Sequence, residues 1–231
     1  FETPTFTELA NPARNLNVNL GGFNNVSAQT AESFEIGARG TLWERLYFDL
    51  AAFTMNVDDE VTSVSNIGNR SFFENADTNR DGLEAAIVVD ITQKLSLSTA
   101  YTYSKFDFSR FPENTGAEGN PLPGIPEHQF FAELAYRHTS GLYLIWDILV
   151  VDDFSINNAN SDRNGSYQVA NLRAGHRFAY GSTEVAPFLG INNLFSENYN
   201  SNARLNAFGG RAFEPAPTIH VYGGLSVRFG Y

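Results

Sequence analysis

Of the 15 basic residues in this sequence only Lys94 and Lys105 are lysine, so the cationic chemistry is that of arginine. A guanidinium is always charged and presents a planar fork of donors. That fork fits the paired oxygens of a carboxylate, hydroxamate or catecholate better than a compact ammonium does. Arg14, Arg110, Arg163, Arg204 and Arg211 fall, with Arg70, in polar stretches that read as loops, and the first five are the candidate contacts for an anionic ligand. Arg39, Arg137, Arg173, Arg177 and Arg228 fall in stretches that read as strands, on positions that would face inward. For each arginine a plainer role is open: pairing with a carboxylate such as Glu35 or Glu133, or binding a lipid phosphate.

Other patterns carry less chemistry. Asp77, Asn79, Asp81 and Gly82 spell D-x-N-x-D-G, the start of a calcium loop, but the twelfth position, which should supply a bidentate carboxylate, is Val88. The same residues also read as strand. The acidic groups Asp58, Asp59 and Glu60, and Asp152 and Asp153, could hold a divalent ion, such as those that bridge lipopolysaccharide, or simply form a solvated rim. His128, His138, His176 and His220 have no i, i+2 or i, i+4 partner and fall on different segments, so no metal site is expected. There is no G-x-S-x-G elbow and no cysteine, which leaves no nucleophile to nominate; no catalytic function is expected.

The elements that must position these residues are extended. Twenty Phe and ten Tyr with 19 Gly is β-rich usage. A net charge of −11 removes the basic face that nucleic acid needs. The most apolar stretch, Gly141 to Val151, is broken by Asp147, so a membrane crossing would be made by strands. Residues 1–32 lack a leader pattern and are rich in Asn, Gly, Ala and Ser from residue 10 onward, which reads as a long external loop.

From Ser33 onward nine extended segments are predicted: 33–43, 46–62, 71–91, 94–108, 127–138, 141–155, 166–178, 183–198 and 217–231. Tight turns at 43–46, 90–94, 137–141 and 178–183 alternate with long polar loops at 63–70, 109–126, 156–165 and 199–216. Within a segment the side chains alternate. Leu95, Leu97, Tyr101 and Tyr103 oppose Ser96, Ser98, Thr102 and Ser104, and Phe130, Leu134 and Tyr136 oppose Gln129, Glu133 and Arg137. In the last segment Val221, Gly223, Leu225, Val227 and Phe229 oppose Tyr222, Gly224, Ser226 and Arg228. Short turns, long loops and an apolar outer face describe an antiparallel transmembrane β-barrel. Single-chain bacterial barrels have even strand numbers, so nine strands are expected to be part of a larger wall.

Six stretches, in order, resemble the second half of TonB-dependent outer-membrane receptors. They are F-E-T-P-T-F-T-E-L at 1–9, S-F-E-I-G at 33–37, N-A-D-T-N-R-D-G-L-E at 75–84, L-P-G-I-P-E-H-Q at 122–129, N-N-L-F at 192–195 with Tyr199, and the ending with G-G-R at 209–211, P-A-P at 215–217 and G-G-L-S-V-R-F at 223–229. The resemblance implies a 22-stranded barrel around a folded plug, with residues 33–231 as its last nine strands and the plug absent. It further implies an outer-membrane location in a Gram-negative cell, a scarce bulky ligand, most often a ferric siderophore, and energy coupling through the TonB–ExbB–ExbD complex by way of the plug. It adds plug-holding to the roles open to the arginines. The alternative reading is an unplugged porin or a surface-adhesion barrel; a soluble all-β module fits less well, because the strands are long and no repeat period is present.

Overall fold

In a computed structural model, which describes residues 2–5, 8–9, 26–67, 70–111, 116–207, 209 and 211–230, the chain is a succession of antiparallel strands. In chain order these are β1 (Thr30–Leu42), β2 (Leu46–Ile67), β3 (Arg70–Thr92), β4 (Leu95–Arg110), β5 (His128–Arg137), β6 (Leu142–Val151), β7 (Phe154–Ser155), β8 (Arg163–Asn164), β9 (Tyr167–His176), β10 (Phe178–Tyr180), β11 (Thr183–Asn192), β12 (Asn200–Ala203), β13 (Phe213–Pro215) and β14 (His220–Phe229). The main sheet has ten strands in the order β1-β2-β3-β4-β5-β6-β9-β11, with short β10 beside β11 and β14 on the far side of β11. Without β10, these are the nine segments expected. The pairs β7–β8 and β12–β13 are separate two-stranded ribbons within the long connections.

Register makes one surface of this sheet apolar from edge to edge. Leu42, Leu46, Val89, Leu97, Leu134, Trp146, Leu172, Ile191 and Val221 are successive cross-strand partners, one from each wall strand. The row one residue away runs Thr41, Tyr47, Val88, Ser98, Glu133, Asp147 and Asn171, on the opposite surface. Because side chains alternate with period two, a slip of one residue in β5 or β6 would put Glu133 or Asp147 on the apolar surface in place of Leu134 or Trp146, and this pins the register there. No layer of described residues covers the apolar surface: Phe34 is 68%, Leu189 58% and Leu225 64% exposed. A contiguous uncovered apolar surface of this extent is foreign to a soluble monomer. At the two ends of the sheet, β1 and β14 each have one wall neighbour among the described residues.

The structure moves some boundaries. Residues 63–70, expected to be a loop, are mostly strand: β2 and β3 stay paired up to Ile67 opposite Arg70, so Arg70 opens a strand. Long hairpins of this kind satisfy their own backbone groups, and polar residues such as Ser63 and Ser71 are compatible with pairing above an apolar zone. Thr30 to Glu32 join β1, Arg110 ends β4 instead of opening a loop, and the segments at 183–198 and 217–231 shorten to β11 and β14. The D-x-N-x-D-G residues lie within β3, extended and paired with β4, as the strand reading expects and a calcium loop does not.

At the long-loop end the sheet gains a small core. Phe108 and Phe111 meet edge to face at 4.7 Å between ring centroids and pack with Ala76, Ala117 and Leu122. The connection from β4 folds back on its strand: Gly119 N donates to Phe108 O at 2.8 Å and Phe108 N to Asn120 O at 3.0 Å.

Candidate ligand-binding face

The polar surface of the sheet and the loops above it are where this protein's charged side chains gather. Register places Arg39, Arg137, Arg173 and Arg228 on that surface, as expected from the alternation, and sets Arg39 opposite Asp49 and Glu184 opposite Arg228. Glu133 and Asp147 are opposite one another. Like charges so placed repel, and Asn171 relieves Asp147 by donating Nδ2 to its Oδ1 at 2.7 Å.

Asn171 also explains the N-N-L-F stretch. Its Oδ1 accepts from Asn193 N at 3.0 Å, and Asn193, 2% exposed with φ +51°, turns the chain out of β11. Asn tolerates that left-handed conformation better than most residues. The Asn193 side chain then spans the next loop, donating to Glu197 O at 2.8 Å and Pro217 O at 3.2 Å and accepting from Glu197 N at 2.7 Å.

Of the five candidate ligand arginines, Arg14 lies outside the described residues. Arg110 is committed within the protein. Its Nε and Nη2 reach Asp77 at 2.6 and 2.7 Å and its Nη2 reaches Asp59 at 3.2 Å. Asp59 sits at a bulge of β2 with φ +57°, and its N–H donates to Asp77 Oδ1 at 2.9 Å, so Arg110 closes a clamp around the bulge. The Arg110 hydrogen bond holds the Asp77 carboxyl below its ordinary range, against the opposing pull of burial. Next to it, Glu60 accepts from Thr78 at 2.8 Å and from Arg80 at 2.6 Å, and Arg80 lies over the Phe106 ring at 5.9 Å.

Arg163 pairs with Asp153 and donates to Asn160 Oδ1 at 2.9 Å, bracing the β7–β8 ribbon. Arg204 pairs with Glu214 at 2.7 Å across β12–β13. Donation from Asn202, then from Arg204, lowers the Glu214 pKa. Arg211 is exposed and has no ion pair among the described residues. No two of the four described arginines share a carboxylate.

What gathers the loops is asparagine, which the arginine search passed over. Asn158, 7% exposed, donates Nδ2 to Ser63 O at 2.7 Å and accepts from Asn206 Nδ2 at 3.0 Å. Its N–H donates to Asn206 Oδ1 at 3.0 Å and its carbonyl accepts from Asn120 at 2.9 Å. One residue, through its side chain and its backbone, thus joins β2 to all three long connections, 109–126, 156–165 and 199–216. A second tie runs from Asn200 Nδ2 to the buried Asn164 at 2.8 Å, beside a stack of Tyr167 and Tyr199 at 4.8 Å. Burial and then Tyr199 push the Tyr167 hydroxyl pKa up. The only sequence signal for this network is the density of Asn at 157–160 and 198–206, which reads equally as loop composition.

A family model described as "TonB dependent receptor-like, beta-barrel" matches residues 1–194. Among solved structures, the chain superposes on BauA, the ferric preacinetobactin receptor from Acinetobacter baumannii, with a TM-score of 0.70 at 17% identity, covering 98% of this chain and 31% of that one. For the ferric citrate transporter FecA the values are 0.73, 16%, 87% and 32%. For the copper transporter OprC they are 0.75, 18%, 100% and 35%. At these identities the likeness is one of fold, and the chain spans about a third of each structure.

Proposed function

The chain belongs to the TonB-dependent receptor β-barrel family, and from that premise we propose that it forms part of the wall of an energy-coupled outer-membrane receptor. On this reading the wall begins with β1 at Thr30, and the residues before it precede the wall as an external loop. The apolar row from Leu42 to Val221 faces acyl chains, the Glu133–Asp147 surface faces the lumen, and the long loops open to the outside. The observation that carries the reading is that apolar row, unbroken across nine strands with no described residue layered over it. Energy coupling would come through the TonB–ExbB–ExbD complex acting on a plug enclosed by the full barrel, with lipopolysaccharide around the outer rim.

The ligand we propose is a bulky anionic chelate of the ferric siderophore type. Ferric receptors among the similar folds support this. Arg14, Arg110, Arg163, Arg204 and Arg211 are the proposed loop contacts. Arg110, Arg163 and Arg204 are oriented by their carboxylates, and Arg211 has no ion pair among the described residues. The family's role in transport leaves no catalytic step to assign.

The test is growth of a receptor-deleted strain carrying the full-length protein on single ferric siderophores under iron limitation, with and without a working TonB. Growth that requires both receptor and TonB supports the reading. Uptake that persists without TonB would indicate an open pore instead.

A further inference from the structure

At the turn end of the sheet the β5–β6 hairpin and the end of β9 meet, Arg177 N donating to Gly141 O at 3.0 Å. Between them is a cavity of about 220 Å³ lined by Arg137, Arg173 and Arg177 with His138 and Tyr143, and no carboxylate of the described residues lines it. Among the described residues none of these three arginines enters an ion pair; those that do are Arg80, Arg110, Arg163 and Arg204. Arg173 is held by ring faces, 4.5 Å above Phe188 and 6.0 Å from Tyr143. Stacking of this kind fixes a guanidinium while leaving its in-plane N–H groups free to donate. The cavity depends on a missing side chain: a Cβ at Gly175 would lie 2.4 Å from Tyr143 Oη, so the ring leans across β9 only because that residue is glycine. Strands β5 and β9 flank β6, about 10 Å apart, a gap that inclined arginine side chains can close onto one ligand.

Three positive charges sharing one cavity without a counter-charge repel one another, and an oxyanion would remove the repulsion and accept donors from the forks. We propose that Arg137, Arg173 and Arg177 form an anion-binding site for a carboxylate or phosphate group at the turn end of the polar surface. The oxyanion is either free in solution or a carboxylate carried by another segment of the longer protein. A lipid headgroup is the wrong occupant, because register sets Arg137 and Arg173 on the surface opposite Leu144 and Trp146.

The experiment uses the detergent-solubilised full-length receptor, phenylglyoxal as arginine reagent with peptide mass spectrometry as readout, and inorganic phosphate as probe. Arg211, exposed and with no ion pair among the described residues, is the internal standard. If the site takes a free oxyanion, millimolar phosphate slows modification of Arg137 and Arg177 together at least fivefold, saturably and without affecting Arg211. If a chain-borne carboxylate fills it, both react at least tenfold more slowly than Arg211 without phosphate, and added phosphate changes nothing. In either case Arg173→Gln exposes the other two and Arg173→Lys restores part of the protection, with heat-modifiability confirming the fold. Modification at the Arg211 rate, unaltered by phosphate or by Arg173→Gln, overturns the proposal. So does protection that appears only when anionic phospholipid is added to the micelle.

Discussion

The two ends of this sheet use arginine in opposite ways. At the long-loop end Arg80, Arg110, Arg163 and Arg204 each grip a carboxylate, and the loops around them are cross-tied through Asn158, Asn193 and Asn200. At the turn end the backbone is already closed by tight turns, and Arg137, Arg173 and Arg177 share a cavity lined by no acid of the described residues. Long connections carry a large ordering entropy, which hydrogen bonds and charge pairs help to offset. Short turns need no such help, so their charges remain available. An arginine in a loop is therefore a weaker pointer to ligand than it first reads.

The contrast presumes that both ends belong to one wall with one apolar side, and the most disruptive test addresses that. Leu134 stands mid-row between Leu97 and Trp146, where an arginine facing acyl chains costs about 2–4 kcal/mol. Leu134→Arg in the full-length receptor should abolish most of the heat-modifiable folded band, while Glu133→Gln, one residue away, should retain it. Equal losses would mean that the two surfaces are misassigned.

Next comes the loop end alone. Asn158→Ala removes the bond from Asn158 Nδ2 to Ser63 O and the bond its Oδ1 accepts from Asn206 Nδ2, at about 1 kcal/mol for each bond lost. The expected result is faster trypsin cleavage at Arg163 and Arg204 with an unchanged folded barrel. If cleavage at Arg177 accelerates as much, the two ends are not independent and the contrast fails.

Ligand affinity is a smaller lever. Replacing Arg204 and Arg211 together by Ala should weaken ferric siderophore binding at least tenfold, about 1.4 kcal/mol, without affecting assembly. The reciprocal variant Glu214→Gln frees Arg204 from its pair and should leave binding within about a factor of three. Unchanged affinity in the double variant would move the contact to the aromatic residues of the same rim.

The wall was readable from the sequence because its signal is local and repetitive. Leu95 to Ser104 alternates in plain view, and the pairing Val89–Leu97–Leu134 only adds the order in which such strands stack. The hairpin tip was misread because Ser63 to Arg70 has loop composition, while its pairing comes from β2 and β3 outlasting the apolar zone together. The rim was legible in part. Arg110 and Asp77 are 33 residues apart, and Asn158 reaches Ser63 over a separation of 95. No spacing rule brings such residues together; only the strand order does. Arg137, Arg173 and Arg177 were placed on strands from the alternation, but their lack of partners is a property of the folded surface.

The smallest effect concerns the Asp77–Arg110 clamp and its pH dependence. The Asp77 pKa is depressed below the ordinary 3.8, first by the Arg110 hydrogen bond. A carboxyl depressed on folding stabilises the folded form fully above its unfolded value and loses that contribution as pH falls through the folded one. The clamp is therefore intact from neutrality down to about pH 4 and weakens only below 3.8. Arg110 is half exposed, so solvent screens the pair, and exposed pairs contribute about 0–1 kcal/mol. Pepsin cleavage within 109–126, compared between the native receptor and Asp77→Asn at each pH, separates this effect from the protease's own pH profile. The native loop should be the more resistant of the two near pH 4 and should lose that advantage progressively as the pH falls further. Equal resistance of the two already near pH 4 would mean that the bulge at Asp59 holds without the clamp, leaving the bond from Asn75 Nδ2 to Asp59 O and the bond from Asp59 N to the side chain at position 77 to keep this end of the sheet closed.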